Sequence, residues 1–385
     1  MISTLMGNKD SNIQFEILFY PQYQNEQGQA ICYPGSVLEG VVKLIAASPI
    51  PVHHIKLVFK ATERVNYDAM GWEKSKTTDD RLFAVRTILW GFPVGAQVPS
   101  DAWPILETGE HLFPFTCQMP VINFPPTFQH HLIATAFSMI VSVERPKQMP
   151  ILSKPVHLQF QPIIETMPVK NLHALIEETK LGQAVSAKVS IPRLAYNIHQ
   201  DALSIPITIQ FSSPDDNLMG ISQLHAYIKR YYQINYKTFS RNEVTTITSH
   251  HLAKLPSSTT LTFQLKMPER DEIPPTLTYS NHLKIEYRLV VTVKVRHGPL
   301  NMKKKLLDAP LTFGTLPPGT RAPRQLEPYS RLVDNRSSVH SKPTFLKPEP
   351  VSEEEFLPAY DSEEIPPSYR SNIPSNVHLI TRIQS

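Results

Sequence analysis

Cysteine is nearly missing from this chain: 385 residues contain two, Cys32 and Cys117, with no Cys-x-x-Cys and no regular spacing. That excludes a disulfide framework and a cysteine-built zinc centre, and it fits a reducing cytosol. Glycine is scarce as well, 13 residues against 36 prolines, an unusual balance for an enzyme with a glycine-rich ligand loop. No apolar run approaches the roughly 18 residues that a membrane-spanning helix needs. The opening MISTLMGNKDSN has neither a basic region nor an apolar core, so it does not read as a signal peptide. A large excess of one charge is also lacking. The formal net charge of +4 leaves no footprint of a dedicated nucleic-acid binder, although a local basic patch would suffice for anionic lipid. Gly-x-Ser-x-Gly, a phosphate loop, His-Glu-x-x-His and zinc-finger spacing are all missing. The cysteine count, the opening segment and the lack of a long apolar run predict a soluble, cytoplasmic protein, and nothing among the motifs argues for an enzyme, a metal or a cofactor.

What is present is alternation. In HHIKLVFKAT, Ile55, Leu57, Phe59 and Ala61 fall on one side; His54, Lys56, Lys60 and Thr62 fall on the other, with Val58 the exception. Successive strand side chains point to opposite faces, so this is a half-buried strand. LSIPITIQF repeats the pattern with Ile205, Ile207, Ile209 and Phe211, and LTFQLKM with Leu261, Phe263, Leu265 and Met267. The clearest case is KIEYRLVVTVKVR, where Ile285, Tyr287, Leu289, Val291, Val293 and Val295 form an apolar face. One dry face and one wet face predict antiparallel sheets packed as sandwiches, an all-β fold. The prolines suit the edges and loops of that architecture.

The best helix candidate is NLHALIEETKLG, with Asn171 as N-cap and Gly182 as stop. It is short, and residues 163–182 read as the seam between two sandwiches. Past Gly319 the alternation stops, and polar residues, prolines and an acidic stretch from Glu349 to Glu364 take over. Such a segment cannot bury enough apolar surface to offset its ordering entropy, which predicts a disordered tail over 319–385.

Several segments carry a family pattern. GEHLFPFTCQMP, Gly109 to Pro120, holds a Gly-x-His-x-Phe-Pro-Phe stretch, with Met119 where a leucine is common. YPGSVLEGVVKL and PIPVHHIKLVFKATERV precede it; SIPRLAYNIHQDALSIPITIQ, PPTLTYSNHLKIEYRLVVTV and APLTFGTLP, with Phe313, Gly314 and Thr315, follow. Taken in order, this set resembles the arrestin family over residues 13–318. The resemblance implies two immunoglobulin-like sandwiches of about seven strands each, joined at a hinge, over 13–165 and 183–318. It also implies a scaffold that binds cargo and lacks catalysis. Phe113 and Phe115, at alternate positions across Pro114, read as core residues, and Pro114 as an edge or bulge residue because it has no N–H to donate.

The tail holds IPPSYR, with Pro366, Pro367 and Tyr369, and nine positions earlier FLPAYD, with Leu357, Pro358 and Tyr360. Pro-Pro-x-Tyr is read by WW domains: the prolines hold a polyproline helix against an aromatic groove at low entropy cost, and the tyrosine fills a neighbouring pocket. Leu-Pro-x-Tyr is a weaker variant, since leucine is not pre-set in φ. In an extended polyproline geometry the two tyrosines stand about 28 Å apart. A Pro-Pro-x-Tyr would occur by chance in about one such chain in eight. Its place in the tail, beside a second tyrosine motif and after acidic residues, raises its meaning. The resemblance raises it further, because the α-arrestin branch pairs this fold with tails that recruit WW-domain, HECT-type ubiquitin ligases to plasma-membrane and endosomal cargo. The implied partners are such a ligase and the cytoplasmic tails of transporters or receptors. An arrestin-fold subunit of a retromer-like trafficking coat is the alternative; it would need the sandwiches and not the tail.

Other signals are weaker. YSRL at Tyr329–Leu332 fits a tyrosine sorting pattern short enough to arise by chance. Lys303, Lys304 and Lys305 read as a solvated hairpin turn or as a contact to anionic lipid, worth about 1 kcal/mol per lysine at such a surface. Three pairs, His53-His54, His130-His131 and His250-His251, read as surface histidines, because neighbours in a strand point apart and cannot easily chelate one ion.

Overall fold

A computed structural model describes residues 12–66, 78–93, 95–166, 174–181, 185–200, 202–212, 221–253, 259–269, 273–297, 300–329 and 349–350. Among them the only helical turns are two three-residue 3-10 segments, Pro21–Tyr23 and Ser100–Ala102; everything else regular is strand.

The first sandwich packs two sheets. One has three strands in the order β1 (Ile13–Phe19), β2 (Val37–Ala46), β5 (Gly109–Gln118). The other is built on β3 (His54–Val65), β4 (Thr78–Gly91), β6 (Ile133–Glu144) and β7 (Val156–Phe160). Its order is Ile31–Cys32, β7, β6, β3, β4, with Phe128–Gln129 and Ile151–Leu152 also paired to β6. Ile55, Leu57, Phe59 and Ala61 are buried, as their alternation requires. Pro114 lies on the edge strand β5, where its missing N–H breaks no ladder. Phe115 is buried and meets Phe19 edge-on at 5.9 Å, while Phe113 is half-buried. Gly40 makes room for it: a Cβ there would stand 2.1 Å from the Leu18 carbonyl oxygen and 2.8 Å from the Phe115 ring.

The second sandwich has a four-stranded sheet, β8 (Leu175–Lys180), β9 (Ser186–Ile191), β10 (Ser204–Ser212) and β13 (Thr260–Lys266). Against it lies a sheet of longer strands, β11 (Ile221–Tyr236), β12 (Phe239–Leu252), β14 (Leu283–His297) and β15 (Leu300–Gly314). Its order is Ala195–Asn197, β15, β14, β11, β12. Ile285, Tyr287, Leu289, Val291 and Val293 are all buried in the space between the sheets.

Two expectations are corrected. The segment taken as the best helix is instead β8, an edge strand hydrogen-bonded to β9 from Leu175↔Ile191 to Lys180↔Ser186. Pairing with an open sheet edge outweighs a weak helical pattern this short. Its exposed Glu177 and Glu178 guard the edge against further pairing. Residues 319–329, assigned above to a disordered tail, run packed along the first sandwich. Glu327–Pro328 pairs in parallel with Ile122–Asn123, and Thr320–Arg321 pairs with Glu349–Pro350. The Ala322 amide donates to Glu165 Oε1 at 2.9 Å. Tyr329 is 8% exposed and its ring lies 5.4 Å from that of Phe124, which places this tyrosine in the core and not in an accessible sorting signal.

The two cores meet. Val65, Leu132 and Ile133 of the first sandwich belong to the apolar cluster of the second. Tyr279 packs against both clusters, and its hydroxyl donates to the Phe124 carbonyl at 3.3 Å.

Candidate functional site

Three features of the described chain bear on function: the junction, the outer face of the long-stranded sheet, and the histidines. The tail residues Leu357, Pro358, Tyr360, Pro366, Pro367 and Tyr369 lie outside the described residues.

The junction is built by the Phe313-Gly314-Thr315 segment at the end of β15. Phe313 is fully buried against Tyr287, edge-on at 4.6 Å. Thr315 donates from Oγ1 to the Pro162 carbonyl at 2.7 Å and accepts the Ile164 amide at 2.9 Å. Its own amide donates to the Ile164 carbonyl at 2.8 Å, and Thr166 Oγ1 donates to the Leu316 carbonyl at 3.1 Å. The connector leaving the first sandwich is therefore stitched to the last strand of the second. Hydrogen bonds in this half-buried setting fix the connector as firmly as a ladder would.

The lysine run is not a turn. Lys303, Lys304 and Lys305 lie inside β15, and alternation separates them. Lys303 is opposite Lys294, and Lys305 opposite Thr292, on the outer face. Lys304 points the other way and donates from Nζ to the Leu181 carbonyl at 2.8 Å, capping the end of β8. Across β14 the outer face continues through His225, Tyr227 and Lys229, opposite Thr292, Val290 and Arg288. Asp308 takes Arg288 at 2.7 Å and Lys305 at 2.6 Å. Among the described residues Lys229, Lys294 and Lys303 form no ion pair; Lys229 and Lys303 both approach the Tyr227 ring, 5.6 and 5.7 Å from its centre. Burial, then the Lys303 charge and His251, holds the His225 imidazole below its usual range. This is a basic, aromatic sheet face. Its β11 contribution is His225-x-Tyr227-x-Lys229, alternate residues of one strand.

The histidine pairs divide three ways. His53 and His54 are 7% and 3% exposed, not surface residues; their Nδ1 atoms are 2.7 Å apart, and His53 Nε2 faces the Ala96 carbonyl at 3.1 Å. His250 and His251 lie on β12, on alternate faces, as a strand demands. His130 and His131 sit in the turn between Phe128–Gln129 and β6, closed by the His130 amide on the Ile133 carbonyl, so the strand rule does not apply. Both rings turn toward Glu243 of β12: His130 Nε2 is 3.3 Å from Oε2, and His131 Nε2 is 3.1 Å from Oε1. Burial, chiefly, and then the neighbouring His131 hold the His130 imidazole below its usual range. Glu243 is 112 residues from His131, so no local spacing could have revealed the trio.

Cys32 and Cys117 are free and buried, and burial pushes Cys117 up to about 12 and Cys32 higher still. Neither can supply a thiolate at neutral pH. Among the described residues no helix is long and apolar enough to cross a membrane.

Two antiparallel sandwiches, sharing apolar residues across a stitched junction and presenting broad sheet faces, define a binding scaffold. Residues 22–162 match the family described as Arrestin (or S-antigen), N-terminal domain, and residues 182–318 match Arrestin (or S-antigen), C-terminal domain. The chain belongs to the arrestin family, in its α-arrestin branch, and is an arrestin-like adaptor. It is 24% identical over 329 residues to Arrestin domain-containing protein 4 of Mus musculus, covering 81% of this chain and 72% of that protein.

Proposed function

We propose that the protein brings a WW-domain ubiquitin ligase of the HECT type to membrane-protein cargo and so promotes ubiquitin-dependent endocytosis and sorting. The sandwiches engage the cytoplasmic tail of a transporter or receptor at the plasma membrane or on endosomes. Pro366, Pro367 and Tyr369 hold the ligase, helped by Leu357, Pro358 and Tyr360. The adaptor performs no reaction of its own; it raises the local concentration of ligase at cargo. The observation that carries this reading is Pro-Pro-Ser-Tyr in a chain whose sandwiches belong to the arrestin family. The basic outer face around Lys229, Lys294 and Lys303 supports a membrane-side orientation through anionic lipid.

The test is calorimetric titration of the full chain with WW domains of a HECT-type ligase, beside Tyr369→Ala and Tyr360→Ala. Micromolar binding, about −8 kcal/mol, is expected for the parent chain. Tyr369→Ala should remove it and Tyr360→Ala weaken it. No binding by the full chain would sink ligase recruitment and leave the coat-subunit role for the same fold.

A further inference from the structure

We propose that His130, His131 and Glu243 form a divalent transition-metal site, of the zinc class, that clasps the 130–132 turn of the first sandwich to strand β12 of the second. Two imidazoles and one carboxylate are a borderline nitrogen–oxygen donor set that suits zinc and leaves a fourth position for water. Four ligands at about 2.0–2.1 Å in a tetrahedron stand about 3.3–3.4 Å from one another. His130 Nε2 stands 3.3 Å from Oε2 and His131 Nε2 3.1 Å from Oε1, close to that edge, and a small turn of the carboxylate brings one oxygen to serve both rings. One ligand atom from each of the three residues lies within 4.8 Å of the others, so closing the trio on an ion takes shifts of side chains alone.

The surroundings favour the clasp on balance. His130 is held between Phe128, stacked at 6.0 Å, and Tyr232 at 4.9 Å, which limits the ring rotations lost on binding. Its Nε2 is free to ligate once the ring proton moves to Nδ1. That move gives up one contact, the Leu132 amide on Nδ1, which at 3.4 Å is a weak hydrogen bond. Arg241 competes for the carboxylate from 3.4 Å, but it is half-exposed, and such a pair contributes little. The cost that remains is the charge of Arg230, whose guanidinium stacks on Tyr232 at 4.7 Å. It opposes a dication, and it also opposes protonation of the imidazole that the metal needs neutral. Because ligands come from both sandwiches, an ion here ties their relative orientation to metal occupancy, independently of what the tail binds.

The experiment uses the full chain, stripped by chelator and titrated with Co2+, whose tetrahedral complexes absorb in the visible, then with Zn2+ in competition. One equivalent should bind. His131→Ala and Glu243→Gln should each weaken binding at least about tenfold; His131 is 57% exposed at its side chain, so its removal leaves the fold intact. Spin labels placed on the two sandwiches should show a narrower distance distribution with one equivalent of Zn2+, and no change in the variants. Absence of one-equivalent binding, or binding equally tight in both variants, would overturn the proposal.

Discussion

The backbone of Gly314 is pressed against that of Glu165: a Cβ at Gly314 would stand 2.7 Å from the Glu165 carbonyl oxygen and 2.7 Å from that of Ile164. Both obstacles are backbone, so neither can swing aside. Gly314→Ala should therefore cost roughly 1–3 kcal/mol of unfolding free energy, the range for overpacking a well-packed site. Urea denaturation of the full chain measures it. A loss under about 1 kcal/mol would mean that the connector slides, and that the Thr315 hydrogen bonds do not fix the junction.

The same contact explains what the amino-acid order could and could not reveal. Period-two burial at Ile55–Ala61 and Ile285–Val293 is a local property, and each residue's facing follows from its neighbours. The strand at Leu175–Lys180 is not local: it exists because β9 offers an unpaired edge, which no window of 12 residues can report. The run Lys303–Lys305 looked like one patch because charge was read without strand direction; two of its lysines face out and one turns back to the Leu181 carbonyl. Glu243 and the turn at His130 are joined only by the docking of two sandwiches.

Tyr329 anchors the 320–329 segment on the first core. Truncation after Tyr329, which removes 330–385 and with it the two-residue pairing of Glu349–Pro350 on Thr320–Arg321, should lower the thermal midpoint of the sandwiches only slightly. Removing 320–385 strips the strand beside Ile122–Asn123 and leaves Phe124 facing a cavity, and Tyr329→Ala alone should cost about 3–5 kcal/mol, as for other buried aromatics. A 320–385 deletion as stable as the 330–385 deletion would show that this segment does not contribute to the first core.

The outer sheet face predicts a separation among neighbouring lysines. Lys303→Glu and Lys294→Glu should each weaken binding of the full chain to vesicles containing anionic lipid. Losing about 1 kcal/mol per lysine corresponds to about fivefold, and added salt should shrink the difference. Lys304→Ala should leave vesicle binding untouched while lowering stability modestly, since its amine caps the Leu181 carbonyl. Equal effects of Lys303→Glu and Lys304→Ala on vesicle binding would contradict the facing seen in β15.

His54 gives the fold an acid-sensitive point whose sign can be worked out. His53 Nε2 donates to the Ala96 carbonyl, so its Nδ1 accepts, and His54 Nδ1 must be the donor across their 2.7 Å contact. That leaves His54 Nε2 as the titrating nitrogen, a buried atom with no hydrogen-bond partner, 3.9 Å from Glu144. Burial, then the Lys56 charge and His53, depresses its affinity for a proton; Glu144 opposes this more weakly, being shared with Lys56 at 3.5 Å. The folded value thus lies below the unfolded one of about 6.5. As pH falls through about 6.5 the unfolded chain takes up the proton first, so stability declines until the folded value is reached. Thermal midpoints at about pH 7.5 and about pH 5.5 should differ more for the parent chain than for His54→Asn, which keeps a donor toward His53 and removes the titration. If the two chains lose the same number of degrees, the acid sensitivity resides in other groups, with His130 and His225, depressed in the same direction, the next to replace.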